Sequence, residues 1–241
     1  MPATCYHSAH MKPHSFLHTV FALVWLALPL VGAAQDAKPK ADAKKAKPAP
    51  LLDDPTLPRV LLIGDSISMG YTQPVRDLLK GKANLHRIPA NGGPTSNGLK
   101  NLKTWLGTNK WDVIHFNFGI HDAKFMKPGE QQVPPADYEK NLRELVKQLQ
   151  ATGAKLLWAT TTPIPDGELS PARTFDKVPT YNAIARKVME ENGVAINDLN
   201  ATITPHLAKL QNPKDVHFNK EGSEFLAKEV AAKITVLLSA K

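Results

Sequence analysis

Residues 59–70 read RVLLIGDSISMG. Four apolar side chains, Val60 to Ile63, run without a polar break and stop at a glycine, and an Asp-Ser pair follows at once. A short continuous apolar run of this kind reads as a parallel strand covered on both faces. In open parallel sheets the working site lies beyond the carboxyl ends of the strands. Ser66 sits at such an end, so what surrounds it decides what it does.

Working outward, the same pattern recurs. Strand-like runs are expected at 59–64, 84–89, 111–119, 155–162 and 194–199. Helical stripes lie between them. Tyr138, Leu142, Leu145 and Leu149 are spaced by one helical turn, in a helix opening at Pro134-Pro135 and stopping at Gly153. Leu99, Leu102 and Trp105 mark an earlier helix, and Tyr181, Ile184 and Val188 a later one. Phe225, Leu226, Val230, Ile234 and Leu237 mark the last. Strands alternating with helices predict an α/β fold, a flavodoxin-like three-layer α/β/α sandwich around a five-stranded parallel sheet. No internal repeat is present.

The first fifty residues have a different character. Residues 16–34, FLHTVFALVWLALPLVGAA, are apolar, follow Lys12 and end in small residues. A basic start, an apolar middle and a small-residue boundary are the layout of a secretory signal, here residues 1–34 with cleavage near Ala34 and a start at Met1 or Met11. The other reading is an uncleaved membrane anchor, for which the stretch barely reaches spanning length. Residues 35–54 carry the Lys/Ala/Pro-rich run DAKPKADAKKAKPAP, which lacks the apolar surface to order itself and reads as a flexible linker. Residues 55–241 form one domain of about 190 residues, long enough for a full core.

Charge and cysteine content narrow the function. The formal net charge is +8, but six of the 30 basic and two of the 22 acidic residues fall in 1–50, leaving 24 and 20 in the rest. A domain so nearly balanced has no electrostatic reason to bind nucleic acid. Cys5, the one cysteine, lies in or before the signal, so the exported chain carries no disulfide and no thiol chemistry. Membrane contact is confined to the signal segment, and oligomeric state leaves no mark in the sequence.

The strand ends carry the polar motifs. Gly64-Asp65-Ser66 ends the first, Asn91-Gly92-Gly93-Pro94-Thr95-Ser96 follows the second, and Gly119-Ile120-His121-Asp122 ends the third. Asp215-Val216-His217-Phe218-Asn219 precedes the last helix. In this order the four segments resemble the SGNH hydrolases, the GDSL lipase/esterase family, over essentially the whole domain. The resemblance implies that Ser66 is the nucleophile, His217 its base and Asp215 the carboxylate orienting that base. The N–H groups of Ser66 and Gly93 would form an oxyanion hole, and Asp65 and Asp122 would support the turns. Two departures stand out. The family's third-block asparagine, an oxyanion donor, is replaced by His121, whose neutral ring can still donate one N–H. The family's aspartate lies three residues before the histidine, whereas here that residue is Lys214 and the carboxylate lies two before.

The implied activity is that of an exported serine esterase acting on short-chain or O-acetyl esters. Its substrate is a small-molecule or glycan ester, and it needs no cofactor and no metal. Export without a long apolar lid favours O-acetyl groups on carbohydrate. Two rival readings remain. Asp65, His121, Asp122, Asp215 and His217 are possible ligands for a metal-dependent phosphoesterase, and the His121 substitution is compatible with a non-catalytic glycan-binding protein. No G-x-G-x-x-G, G-x-x-x-x-G-K-[ST] or G-x-S-x-G motif is present, which argues against dinucleotide binding, a P-loop and an α/β-hydrolase elbow. Elsewhere, a serine opening a helix is ordinarily its N-cap. Ser68 and Ser96 read as caps or turn residues, His115 as a hydrogen-bonded core histidine and Asn117 as a minor site candidate. Thr161 and Thr162 could line the pocket.

Overall fold

Alternate side chains of the first strand go to opposite layers, and this explains its unbroken apolar run. The computed structural model describes residues 52–240. Strand β1 (Arg59–Ile63) sends Leu61 and Ile63 to one face of the sheet and Val60 and Leu62 to the other. Both faces are covered, so neither set could be polar.

The sheet contains β2 (Asn84–Arg87), β1, β3 (Val113–Phe116), β6 (Lys155–Ala159) and β7 (Ala195–Asn197) in that spatial order, all parallel. One face packs on α2 (Thr95–Leu106), α3 (Pro135–Gln150) and α4 (Val178–Glu191). Leu102, Leu142, Leu145, Leu149, Tyr181 and Val188 fill that layer. The other face packs on α1 (Ser66–Leu78) and α7 (Lys220–Ser239) through Tyr71, Val75, Leu226, Val230 and Ile234. This is the expected five-stranded three-layer sandwich, and the helical stripes fall on the predicted faces.

The expected strands are too long at their carboxyl ends. β3 stops at Phe116: Asn117 still bonds both neighbours, its N–H to Ile63 O at 3.0 Å and its Nδ2 to Ala159 O at 2.8 Å, and the chain turns away at Gly119, which takes φ 151°. A Cβ on Gly119 would lie 2.2 Å from Thr161 Oγ1, so only glycine fits that exit. β6 ends at Ala159 because Thr161 N–H turns to Asn182 Oδ1 at 2.8 Å. Both departures open the polar edge where the site forms. Beyond the sequence reading lie a short hairpin, β4 (Phe125–Lys127) with β5 (Glu130–Gln131), and the short helical turns α5 (Leu199–Ile203) and α6 (Leu207–Leu210). They are too short to show periodicity. The expected signal segment and the linker up to residue 51 lie outside the described residues.

Candidate active site

The turn after β1 is fixed by backbone before any side chain reacts. Asp65, not Ser66, is the N-cap of α1: its Oδ1 accepts the Ile67 N–H at 2.8 Å. Ser66 occupies the first helical position, where its N–H has no partner within the helix and its hydroxyl is released from capping. Gly64 O accepts the Gly92 N–H at 2.9 Å, and a Cβ on Gly92 would come within 2.9 Å of that same oxygen. The close approach ties the first motif to the second.

Arg87, at the end of β2, strengthens that tie. Its guanidinium donates to Gly64 O (3.0 Å) and Asp65 O (3.1 Å) on one side, and to Ile88 O (2.7 Å) and Ala90 O (3.0 Å) on the other. One planar fork thus spans both loops.

His217 reaches Ser66 from the segment before α7. A bridge between Gln211 and Phe218 frames this segment, and a turn bonds Asp215 N–H to Asn212 O at 3.2 Å. Lys214 adopts φ 56°, the left-handed region that bulky residues rarely enter. That turn brings Asp215 round to the imidazole although only one residue separates them. Ser66 Oγ lies 2.8 Å from His217 Nε2, and His217 Nδ1 lies 2.9 Å from Asp215 Oδ2. The three residues named from sequence stand in one hydrogen-bonded row.

The row continues beyond them. Asp215 Oδ1 accepts the Val216 N–H at 2.8 Å and pairs with the Arg173 guanidinium at 2.5 Å. Burial alone raises the Asp215 pKa. The hydrogen bond and charge of His217, with the Arg173 and Val216 donors, outweigh it and hold the carboxyl below its ordinary value. An apolar cluster of Ile120, Leu169 and Val216, with Ile67, Ile164 and Phe175 packed on it, braces the loops that carry these groups.

The remaining expected residues fall around the row. His121 is in the turn after β3, within charge reach of Asp65, Lys124, Arg173 and His217; burial lowers its pKa most and favours the neutral ring. Gly93 has φ 63°, and its N–H donates to Asn91 Oδ1 at 2.9 Å. Asp122, in the turn after β3, is fully buried against the start of α2, where its Oδ1 accepts from Thr95 N (2.8 Å) and Thr95 Oγ1 (2.5 Å). Burial moves its pKa up to about 6 despite those bonds. The carboxylates are thus spent separately. Among the described residues, no group of three His, Cys, Asp or Glu side chains could hold a metal ion.

Several side readings change. His115 is buried in the core as expected, but both ring nitrogens lack a partner, so it is not a hydrogen-bonded one. Asn117 stitches β3 to β6. Thr161 and Thr162, with Thr160, line a pocket that includes Asp65 and Ser68 but not Ser66. Arg87 and Arg173 were missed, because no motif surrounds them and an arginine's reach is a tertiary property; Asn91 lay inside the second motif, but its side-chain bond to the Gly93 N–H was not foreseen. A cavity of about 570 Å³, lined by Ile164, Leu169, Arg173, Phe175 and Asn200 among others, adjoins the row through Arg173, although neither Ser66 nor His217 lines it.

Residues 62–225 match the model of the GDSL-like Lipase/Acylhydrolase family. The chain belongs to this family. It is an ester-hydrolysing serine hydrolase. Among solved structures, this GDSL enzyme is similar to an acetyl xylan esterase (TM-score 0.64, 20% identity, covering 73% of this chain and 99% of that one). It is also similar to a lipase/acylhydrolase from Enterococcus faecalis (0.64, 21%, 74% and 96%). A third is an acetylxylan esterase from Geobacillus stearothermophilus (0.62, 21%, 73% and 94%). At such identities the likeness shows the shared fold. No curated protein matches the sequence.

Proposed function

We propose that the enzyme hydrolyses short-chain acyl esters, O-acetyl groups on carbohydrate foremost, by nucleophilic attack of Ser66. The single observation that carries this reading is Ser66 Oγ at 2.8 Å from His217 Nε2, with Asp215 holding the other ring nitrogen.

In the proposed mechanism His217 Nε2 takes the Ser66 proton as Oγ bonds to the ester carbonyl carbon. Asp215 keeps the second proton on Nδ1 and stabilises the imidazolium. The carbonyl electrons move to oxygen, and the anion is received by the N–H groups of Ser66 and Gly93 and by the His121 ring. Receiving it at Gly93 displaces the exposed Asn91 side chain from that amide. Collapse expels the alcohol, which takes the proton from His217. Water then attacks the acyl-serine with His217 again as base, releasing the acid and restoring Ser66.

The acetyl-ester preference is supported by the likeness in fold to two enzymes described as acetyl xylan esterases. Export is supported by the signal layout of residues 1–34. Mass spectrometry of the exported protein tests it, with an N-terminus near Gln35 expected and an intact Met1 or Met11 overturning it.

Ser66→Ala tests the mechanism. Hydrolysis of 4-nitrophenyl acetate should fall by about 10⁴-fold or more with folding unchanged. A folded Ser66→Ala protein of wild-type activity rules the mechanism out. Labelling of Ser66 by an organophosphonate is expected of the enzyme, and its failure would favour the glycan-binding reading.

A further inference from the structure

A second groove meets the row of reacting residues at Arg173, and it is cationic. It measures about 380 Å³ and is lined by Lys124, Phe125, Met126, Ala172, Arg173 and Thr174. Its two walls are joined by backbone: Lys124 bridges Phe175, and Phe125 N–H donates to Thr174 O at 2.9 Å. No acidic residue lines it. Asp166 and Asp176 line the neighbouring cavity instead, and Asp176 is engaged by Gln131 Nε2 and the Lys177 N–H.

The cations here are under-used. Lys127, on the same hairpin, pairs with Glu130 at 3.3 Å, whereas half-buried Lys124 has no carboxylate partner among the described residues. Arg173 gives one nitrogen to Asp215, and its buried Nε has no partner. A half-buried ammonium without counter-charge and a buried N–H without an acceptor are both costly, and a bound anion relieves that cost. Both lie within charge reach of His121, beside the carbonyl site assigned above.

We propose that this groove binds a carboxylate of the substrate, so that the preferred substrate is an acyl ester whose alcohol half is an acidic sugar or similar hydroxy acid. The inference rests on Ser66 as the nucleophile. In this pose the carboxylate lies between the Lys124 ammonium and the free edge of the Arg173 fork, while the acyl carbonyl faces Ser66. The planar fork suits a carboxylate.

The test compares kcat/KM for an O-acetylated methyl glucuronide with that for its neutral methyl ester, in the full-length protein at low salt. The charged ester should be favoured by about tenfold or more, since charge-assisted hydrogen bonds are worth that much. The preference should shrink as salt rises to about 1 M. Lys124→Met should reduce the ratio toward one and Lys124→Arg should keep it. If the wild type cleaves 4-nitrophenyl acetate but handles the charged ester no better than the neutral one, the subsite is refuted and the esterase reading stands. If no ester is cleaved at all, both readings fall. The salt dependence, measured on the wild type, needs no variant to fold.

Discussion

Arg173 holds Asp215 by the carboxylate oxygen that His217 does not use: the guanidinium sits on Oδ1 and the imidazole on Oδ2. With the Val216 N–H also on Oδ1, the carboxylate cannot rotate without breaking a bond. Arg173→Met should therefore lower kcat on neutral esters by about tenfold, a modest misplacement cost. Arg173→Lys should recover only part of it, because an ammonium lacks the planar fork. The sign of the acid effect follows from the depressed Asp215 carboxyl, whose stabilisation is present above the ordinary value of 3.8 and is lost as pH falls through its lower folded value. Arg173→Met should move the acid midpoint of unfolding to higher pH. Acid titrations of both proteins check this, and an unchanged midpoint would count against the clamp.

Arg87 bonds to two loops at once, so its loss should misplace the Ser66 and Gly93 amides together. Arg87→Ala should reduce kcat by about 10²-fold with KM little changed, the scale expected of a misplacement near 1 Å. Millimolar guanidinium added to the folded variant should restore part of the rate. A purely structural arginine would show loss of folded protein and no rescue.

At His121 two substitutions should part company. His121→Asn puts an amide N–H in nearly the same place and should largely preserve turnover. His121→Ala removes the donor and should cost about 10²-fold in kcat. An alanine variant of unchanged turnover would show that the ring is only a wall of the pocket.

Buried His115 and Asp122 pull stability in opposite directions with pH. His115 is held down to about 4 from 6.5 by burial, so between those values the unfolded chain binds more protons and stability falls as pH falls. Asp122 is raised to about 6 from 3.8 by burial, so in much of the same window the folded chain binds more protons and stability falls as pH rises. Each effect is about 3 kcal/mol at most, and they largely cancel. His115→Leu removes two buried, unpartnered nitrogens and should stabilise the protein. It should also expose the Asp122 trend, with urea midpoints that decline from pH 4 to pH 6. A midpoint that instead rises over that range in His115→Leu would contradict the assignment.

The residues 59–66 determined a great deal alone. A strand covered on both faces needs apolar side chains at every position, and a helix covered on one needs them at every turn. Val60–Ile63 and the Tyr138–Leu149 stripe therefore carried their layers in plain view. Ser66, His217 and Asp215 were legible because their motifs lie at strand and loop ends in a fixed order. Tertiary structure decided what depends on distance between loops. The left-handed Lys214 brings Asp215 to an imidazole two residues on, Arg173 crosses to that carboxylate, and Arg87 joins two turns. Sequence periodicity records which side of an element is buried. It does not record where a long flexible side chain ends, because its partners are set by the packing of segments far apart in the chain.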